Sequence, residues 1–317
     1  MKYSWRNILV LIIFVLGITG AWYYSSNQSI LSSRSDFIED FHQVDDYPLY
    51  VARYVEDYQF DEYLQTGQRP QLKGFGCTCF VNDLIIGRNF DFPANPALLL
   101  FTTPEDGYKS VSMVDLGYFD YSMSSLPVDP SGLEETPYMP FDGMNEKGLV
   151  VTMAAIPFAD APYSSERVSI GEIAVIRLLL DYAADVDEAI ELLDEYNVVM
   201  TDPAIHYLIA DANGESAIIE FLGNEMMVYR SFEFQIITNF LVTGLDLPLQ
   251  SPCGRYNSVF SGISGEDGRL TSDTVFQMLD DSSQSSTIWS IVYDIDNLSI
   301  QISMGRDYSN VVSFVLG

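Results

Sequence analysis

Histidine is almost missing from this chain. His42 and His206 are the two it has, so a Ser-His or Cys-His mechanism has very few candidates for its base. His206 lies in an apolar stretch, 204–210, where a core histidine with a satisfied ring is the plainer role. Basic side chains are scarce as well: 15 Lys and Arg stand against 45 Asp and Glu, a formal charge of -30. A surface that negative repels phosphate backbones and anionic lipid heads, which argues against a nucleic-acid partner and fits solubility in a salty or extracellular medium. Cysteine is limited to Cys77, Cys79 and Cys253. A Cys-x-Cys pair with one distant cysteine and no nearby histidine lacks the usual zinc spacing, so neither a metal nor another cofactor is called for.

What is present begins with Lys2 and Arg6 followed by an apolar run over 8–24. A basic start before such a run is an export signal, either a cleaved signal peptide or an uncleaved membrane anchor. Thr19 and Ala21 offer a cleavage pattern, whereas Trp22, Tyr23 and Tyr24 resemble an interfacial aromatic belt. The positive-inside rule leaves everything after Tyr24 outside the cytoplasm, anchored or secreted. In an oxidising compartment an odd number of cysteines leaves at least one thiol unpaired, while a small buried residue is the bland reading, applied here to Cys253.

Residues 25–76 read as a serine-rich linker and a pro-segment. Aromatic residues at near-helical spacing over 36–65 suggest short amphipathic helices, and the Gly- and Pro-containing stretch 66–76 suggests an exposed loop. From Cys77 the texture changes to short β-branched runs at 79–81, 84–86 and 149–154, with a tight turn around Asn82-Asp83. Helical periodicity marks 169–182, 186–196 behind Asp185, and 272–280; strands are expected at 205–211, 216–221, 227–229, 234–239, 288–294, 298–303 and 312–316. Residues 93–140 read as loops, on which the shape of a pocket and hence specificity would depend. Strand runs with helices between them predict an α+β fold, two antiparallel sheets covered by helices on their outer faces, in a single domain over 77–317.

A cysteine can dispense with histidine if its own free α-amine, of pKa about 7.7 to 8.0, accepts the proton. That requires the cysteine to become residue one. Cys77 follows Gly74-Phe75-Gly76, and a glycine directly before it permits the backbone geometry that self-cleavage needs. Gly87-Arg88-Asn89-Phe90-Asp91 closes the hairpin that Cys77 opens, which brings Arg88 and Asp91 back to the nucleophile's end. A guanidinium there favours the thiolate, and a carboxylate can hold the amine.

Several motifs resemble the choloylglycine hydrolase and acid amidase group of N-terminal nucleophile hydrolases. They are Cys77-Thr78, Gly87 to Asp91, Asp142-Gly143-Met144-Asn145-Glu146-Lys147-Gly148-Leu149, His206 to Asp211 with Gly214-Glu215 and Ile219-Glu220, Thr238-Asn239, Gly254-Arg255-Tyr256, and Trp289-Ser290 with Tyr293-Asp294. The resemblance implies a four-layer αββα sandwich and autoproteolysis before Cys77. It implies Cys77 as nucleophile and, through its amine, general base, with Arg88 and Asp91 supporting its charge and orientation. Asn145 and Asn239 would face the substrate carbonyl, and Arg255 would stand as a second arginine near the nucleophile. The implied reaction is hydrolysis of a linear carbon-nitrogen bond in a small N-acylated substrate through a thioester; transfer of the acyl group to an amine, a non-catalytic binding protein of the same fold, and a self-associating chain stay open. The long leader departs from the bile-salt enzymes and is closer to the ceramidase and penicillin acyltransferase pattern. Cys79, two positions on, shares a strand face with Cys77.

Overall fold

The computed structural model describes residues 37–67, 76–248, 251–266 and 270–317. The apolar run 8–24, the serine-rich stretch after it, and most of the loop expected over 66–76 lie outside these residues. Among the described residues no helix is long and apolar enough to cross a membrane.

Two large sheets carry the fold. The first has nine strands in the spatial order Ile38–Asp45 (β1), Leu49–Tyr54 (β2), Ala97–Thr102 (β5), Ser110–Asp115 (β6), Asp142–Asn145 (β7), Val150–Ile156 (β8), Ala204–Ala210 (β11), Ser216–Leu222 (β12) and Glu225–Ser231 (β13). The second has six: Phe234–Ile237 (β14), Gly76–Asn82 (β3), Ile85–Asp91 (β4), Thr287–Asp294 (β15), Ser299–Met304 (β16) and Val311–Val315 (β17). Val168–Gly171 (β9) and Tyr196–Val199 (β10) form a small parallel pair. The large sheets meet face to face through β3 and β8. Helix Glu172–Tyr182 (α2) covers β7 and β8, with Val186–Asp194 (α3) beside it, while Gly254–Gly265 (α4) and Ser272–Asp281 (α5) cover the six-stranded sheet. This is the α+β four-layer sandwich.

The alternation of strand side chains decides what reaches the interior. Along β3, Cys77, Cys79 and Val81 enter the core between the sheets, whereas Phe80 joins the smaller core beneath α4 and α5. Along β4, Ile86 and Phe90 face inward and Ile85 faces the helices. The β3–β4 hairpin turns at Asp83, whose φ of 53° is left-handed, a conformation that aspartate tolerates better than most residues. Asp185 caps α3 by accepting from the Glu188 amide, as its position before the periodic stretch predicts.

The segment 36–65 departs from expectation. It forms strands β1 and β2 and one short helix, Phe60–Thr66 (α1), rather than a series of helices. Its aromatic spacing suits a pleated face as well as a helical one. The deciding contact is distant: β2 pairs in parallel with β5, Leu49 to Tyr54 against Ala97 to Thr102. β5 and β6 correct the expectation of loops over 93–140: both are fully buried, and β5 is apolar on both faces, so it carries no alternation to read. Tyr58 ties the leader to α2 by donating to both carboxylate oxygens of Asp181 at 2.8 Å. The fully buried Arg177 donates to Asp181 at 2.9 Å and to Ser110 at 2.9 Å. Burial pushes Asp181 up to about 6 against the opposing pull of Arg177 and Tyr58.

Candidate active site

Cys77 is the second residue of β3 and has no solvent exposure. In antiparallel register it lies opposite Phe90 of β4, and Gly76 lies opposite Asp91, so the hairpin returns Arg88 and Asp91 to the neighbourhood of Cys77. Arg88 Nη2 points at Cys77 Sγ from 3.5 Å. Its Nη1 donates to the Phe141 carbonyl at 2.5 Å and to the Asp142 carboxylate. Asp142 also accepts from Tyr293 Oη and, at 3.3 Å, from Trp289 Nε1. All of these side chains are sealed from solvent; the partners of Nη1 and Nη2 offset part of the cost of burying the Arg88 charge, while its Nε finds no partner. Burial nonetheless pushes the Cys77 thiol above its ordinary value, and the Arg88 and Arg255 guanidinia only partly offset it.

The backbone nitrogen of Cys77 is held as well as its sulfur. It donates to Asn239 Oδ1 at 3.0 Å. Asn239 follows β14, and its Nδ2 donates to the Ala155 carbonyl at 2.8 Å, which fixes the direction of the amide. Arg255, in the first turn of α4, closes the ring: Nη2 donates to Asn239 Oδ1 at 2.7 Å, and Nη1 to the Cys77 carbonyl at 2.5 Å, to Thr78 Oγ1 at 3.0 Å and to Asp91 at 3.3 Å. Asp91 in turn accepts from Gln284 Nε2 at 2.6 Å and Thr287 Oγ1 at 2.5 Å. Cys77, Arg88, Asp91, Asn239 and Arg255 thus form one connected cluster.

Asn145 is not part of it. Its Nδ2 donates to the carbonyls of Leu180 and Ala183 at the end of α2, and its Oδ1 accepts from the amides of Lys147 and Leu149. Both donors of the side-chain amide are spent on a helix terminus, so the expectation that Asn145 faces a substrate carbonyl is corrected: it shapes a turn and caps a helix. His206 has no role as a base either, because Glu220 and the Thr238 carbonyl occupy its two nitrogens at 2.8 and 2.9 Å. Cys79 is buried with its thiol pushed up to about 12, and it donates to the Met153 carbonyl at 3.4 Å. All three cysteines are free thiols; Cys253 is half-buried at the start of α4 rather than enclosed in a core.

Sequence reasoning missed Gln284 and Thr287, which lie outside every recognisable motif and reach Asp91 only through the tertiary fold. Asp142 is visible inside the motif 142–149, but its task of holding Arg88 is not. Above the cluster opens a cavity of about 600 Å³. Phe92, Pro93, Ile156, Pro157 and Pro203 supply apolar wall, while Asp91, Asn239 and Arg255 are at the cysteine end.

The profile of linear amide C-N hydrolases, choloylglycine hydrolase family, matches residues 79–240, just over half of the chain. Penicillin V acylase of Pectobacterium atrosepticum is 27% identical over 110 residues, 31% of this chain and 29% of that protein; the match therefore spans less than a third of the relative's length. The structure of penicillin V acylase from Agrobacterium tumefaciens aligns with TM-score 0.53 and 18% identity over 76% of this chain and 86% of that one. A mutant of conjugated bile acid hydrolase from Clostridium perfringens aligns with TM-score 0.57 and 14% identity over 76% of this chain and 92% of that one. These likenesses show a shared fold. With the extent of the profile match, they place this chain in the choloylglycine hydrolase family of linear amide C-N hydrolases.

Proposed function

We propose that the protein is a cysteine amidase of the N-terminal nucleophile type, made as a precursor and cut between Gly76 and Cys77. The supporting observation is the double anchoring of Cys77: its sulfur faces Arg88 at 3.5 Å while its nitrogen faces Asn239 at 3.0 Å. In the precursor, Cys77 Sγ adds to the Gly76 carbonyl carbon, the Gly76–Cys77 C–N bond breaks, and the Cys77 nitrogen takes the thiol proton. Water then hydrolyses the thioester, releasing the Gly76 carboxylate and a free Cys77 amine.

In turnover the amine accepts the thiol proton as sulfur attacks the amide carbonyl. It returns that proton to the departing amine nitrogen, leaving a thioester that water cleaves with the amine again as base. Asn239 and Arg255 orient the amine, Asp91 supports Arg255, and Arg88 favours the negative sulfur. The apolar cavity walls favour an uncharged acyl group, and relatives named for penicillin V and conjugated bile acids favour a small N-acylated substrate. The leader, residues 25–76, serves as linker and pro-segment. The run 8–24 carries the chain across or into a membrane, leaving the domain anchored outside the cytoplasm or secreted.

Intact mass and N-terminal sequencing of purified protein test the scheme: the working chain should begin at Cys77, and Cys77→Ala should abolish both cutting and turnover. An active protein still joined at Gly76–Cys77 refutes it. Turnover of penicillin V, a glycine-conjugated bile acid and a series of N-acyl amino acids, with and without an added amine, separates hydrolysis from acyl transfer.

A further inference from the structure

Segment 238–243 lies between β14 and the next turn and belongs to neither sheet, yet it carries Asn239. Without ladder hydrogen bonds its backbone needs other partners. They come from two fully buried side chains on neighbouring strands of the opposite sheet, His206 of β11 and Glu220 of β12. Glu220 Oε1 lies 2.8 Å from His206 Nδ1 and accepts from the Val242 amide at 2.8 Å, while Oε2 accepts from the Thr243 amide at 2.9 Å and Thr243 Oγ1 at 2.6 Å. His206 Nε2 donates to the Thr238 carbonyl at 2.9 Å. A carbonyl can only accept, so Nε2 bears a proton. Nδ1 in turn lies within hydrogen-bond distance of Glu220 Oε1, so both ring nitrogens are engaged. Burial raises Glu220, but the bonds from His206, Thr243 and Val242 outweigh it and hold the group below its usual value. The two side chains form a hydrogen-bonded polar pair enclosed in the protein.

An enclosed polar pair is a poor way to gain stability, since apolar side chains of the same volume commonly serve as well. What it does here is geometric: it grips the chain one residue before Asn239 and again three and four residues after it. Resting on the function proposed above, we propose that His206 and Glu220 are positioning residues that fix Asn239, and through it the Cys77 nitrogen and the Arg255 guanidinium, for catalysis.

Glu220→Gln keeps the volume but turns one acceptor into a donor facing backbone N–H groups. Two measurements are made on the variant and the wild type: a crystal structure of the Cys77→Ala background, and steady-state hydrolysis of decanoyl-p-nitroanilide and penicillin V. Asn239 Oδ1 should leave hydrogen-bond reach of the residue 77 nitrogen, and kcat should fall about 100-fold while KM stays within about threefold. Asn239 found in place, kcat unchanged, or a rise in KM alone overturns the inference. If Glu220→Gln does not fold, Thr243→Val removes a single donor from the half-buried end; about a tenfold loss in kcat is expected, and wild-type kcat overturns it. A wild type inert toward every amide offered sinks the proposed function instead, and the position of Asn239 in the two crystal structures then decides this inference alone.

Discussion

If the chain is cut before Cys77 as proposed, replacing Gly76 by alanine should perturb the precursor and leave the finished enzyme alone, because residue 76 then vacates the strand before substrate reaches Cys77. A Cβ built on Gly76 would lie 2.9 Å from Gln284 Nε2, 3.0 Å from Asp91 Cβ and 3.1 Å from Asp91 Oδ2. The Gln284 amide can swing away only by giving up its 2.6 Å bond to Asp91. Asp91 sits opposite Gly76 in the β3–β4 ladder, so its Cβ cannot retreat without moving a paired strand. Overpacking of this kind costs about 1–3 kcal/mol. Expressed in the barrier to cutting, that slows the reaction about 5- to 150-fold. Intact-mass spectra taken through a time course after synthesis should show uncut chain accumulating in Gly76→Ala. Once cut, the same molecules should turn over within about twofold of wild type. Cutting at the wild-type rate would refute the argument that Asp91 and Gln284 are held against the scissile glycine, and a lasting defect after cutting would show that the damage is not confined to the precursor.

After cutting, the leader should remain bound without a covalent link. β2 is paired to β5, Tyr54 Oη donates to the Glu134 carbonyl at 3.1 Å, and Tyr63 stacks on Tyr138 with centroids 3.9 Å apart. Native mass spectrometry should find both fragments together, and denaturant should be needed to part them. Asn145→Ala should lower stability by about 1–3 kcal/mol, through helix-end carbonyls left unpaired, with kcat unchanged; a large loss of kcat in a stable variant would restore Asn145 to the site. Asp181 has a folded value of about 6 against an ordinary 3.8, so the native state holds its proton more tightly. The stability this gives is complete below the ordinary value and is lost as pH rises through the folded one. Relative to Asp181→Asn, wild-type stability should therefore fall by on the order of 3 kcal/mol between about pH 4 and pH 6, measured by urea unfolding. Parallel slopes for the two proteins would contradict this.

Local rules read well where one residue settles its own conformation. Asp83 at the hairpin turn and Asp185 at the start of α3 are both placed by sequence, because a left-handed turn and a helix cap need nothing beyond neighbouring backbone. The leader strands escape such rules because their hydrogen-bond partner, β5, is more than forty residues away and itself shows no alternation. Asn145 and Asn239 look alike as motif asparagines; they differ only in whether a helix end or the Cys77 nitrogen is their neighbour.

From the sequence alone came the family, the candidate cysteine, the shortage of histidine around it, and the arginine and aspartate returned by the adjoining strand. These follow from composition and from the two-residue period of a hairpin, which act over short stretches of chain. The tertiary structure alone decided that Arg255, Gln284 and Thr287 converge on Asp91, that Asn145 does not reach the site, and that the leader forms part of the larger sheet. Each of those depends on segments far apart in the chain being packed together, and on which side-chain donors and acceptors remain once the backbone has been satisfied.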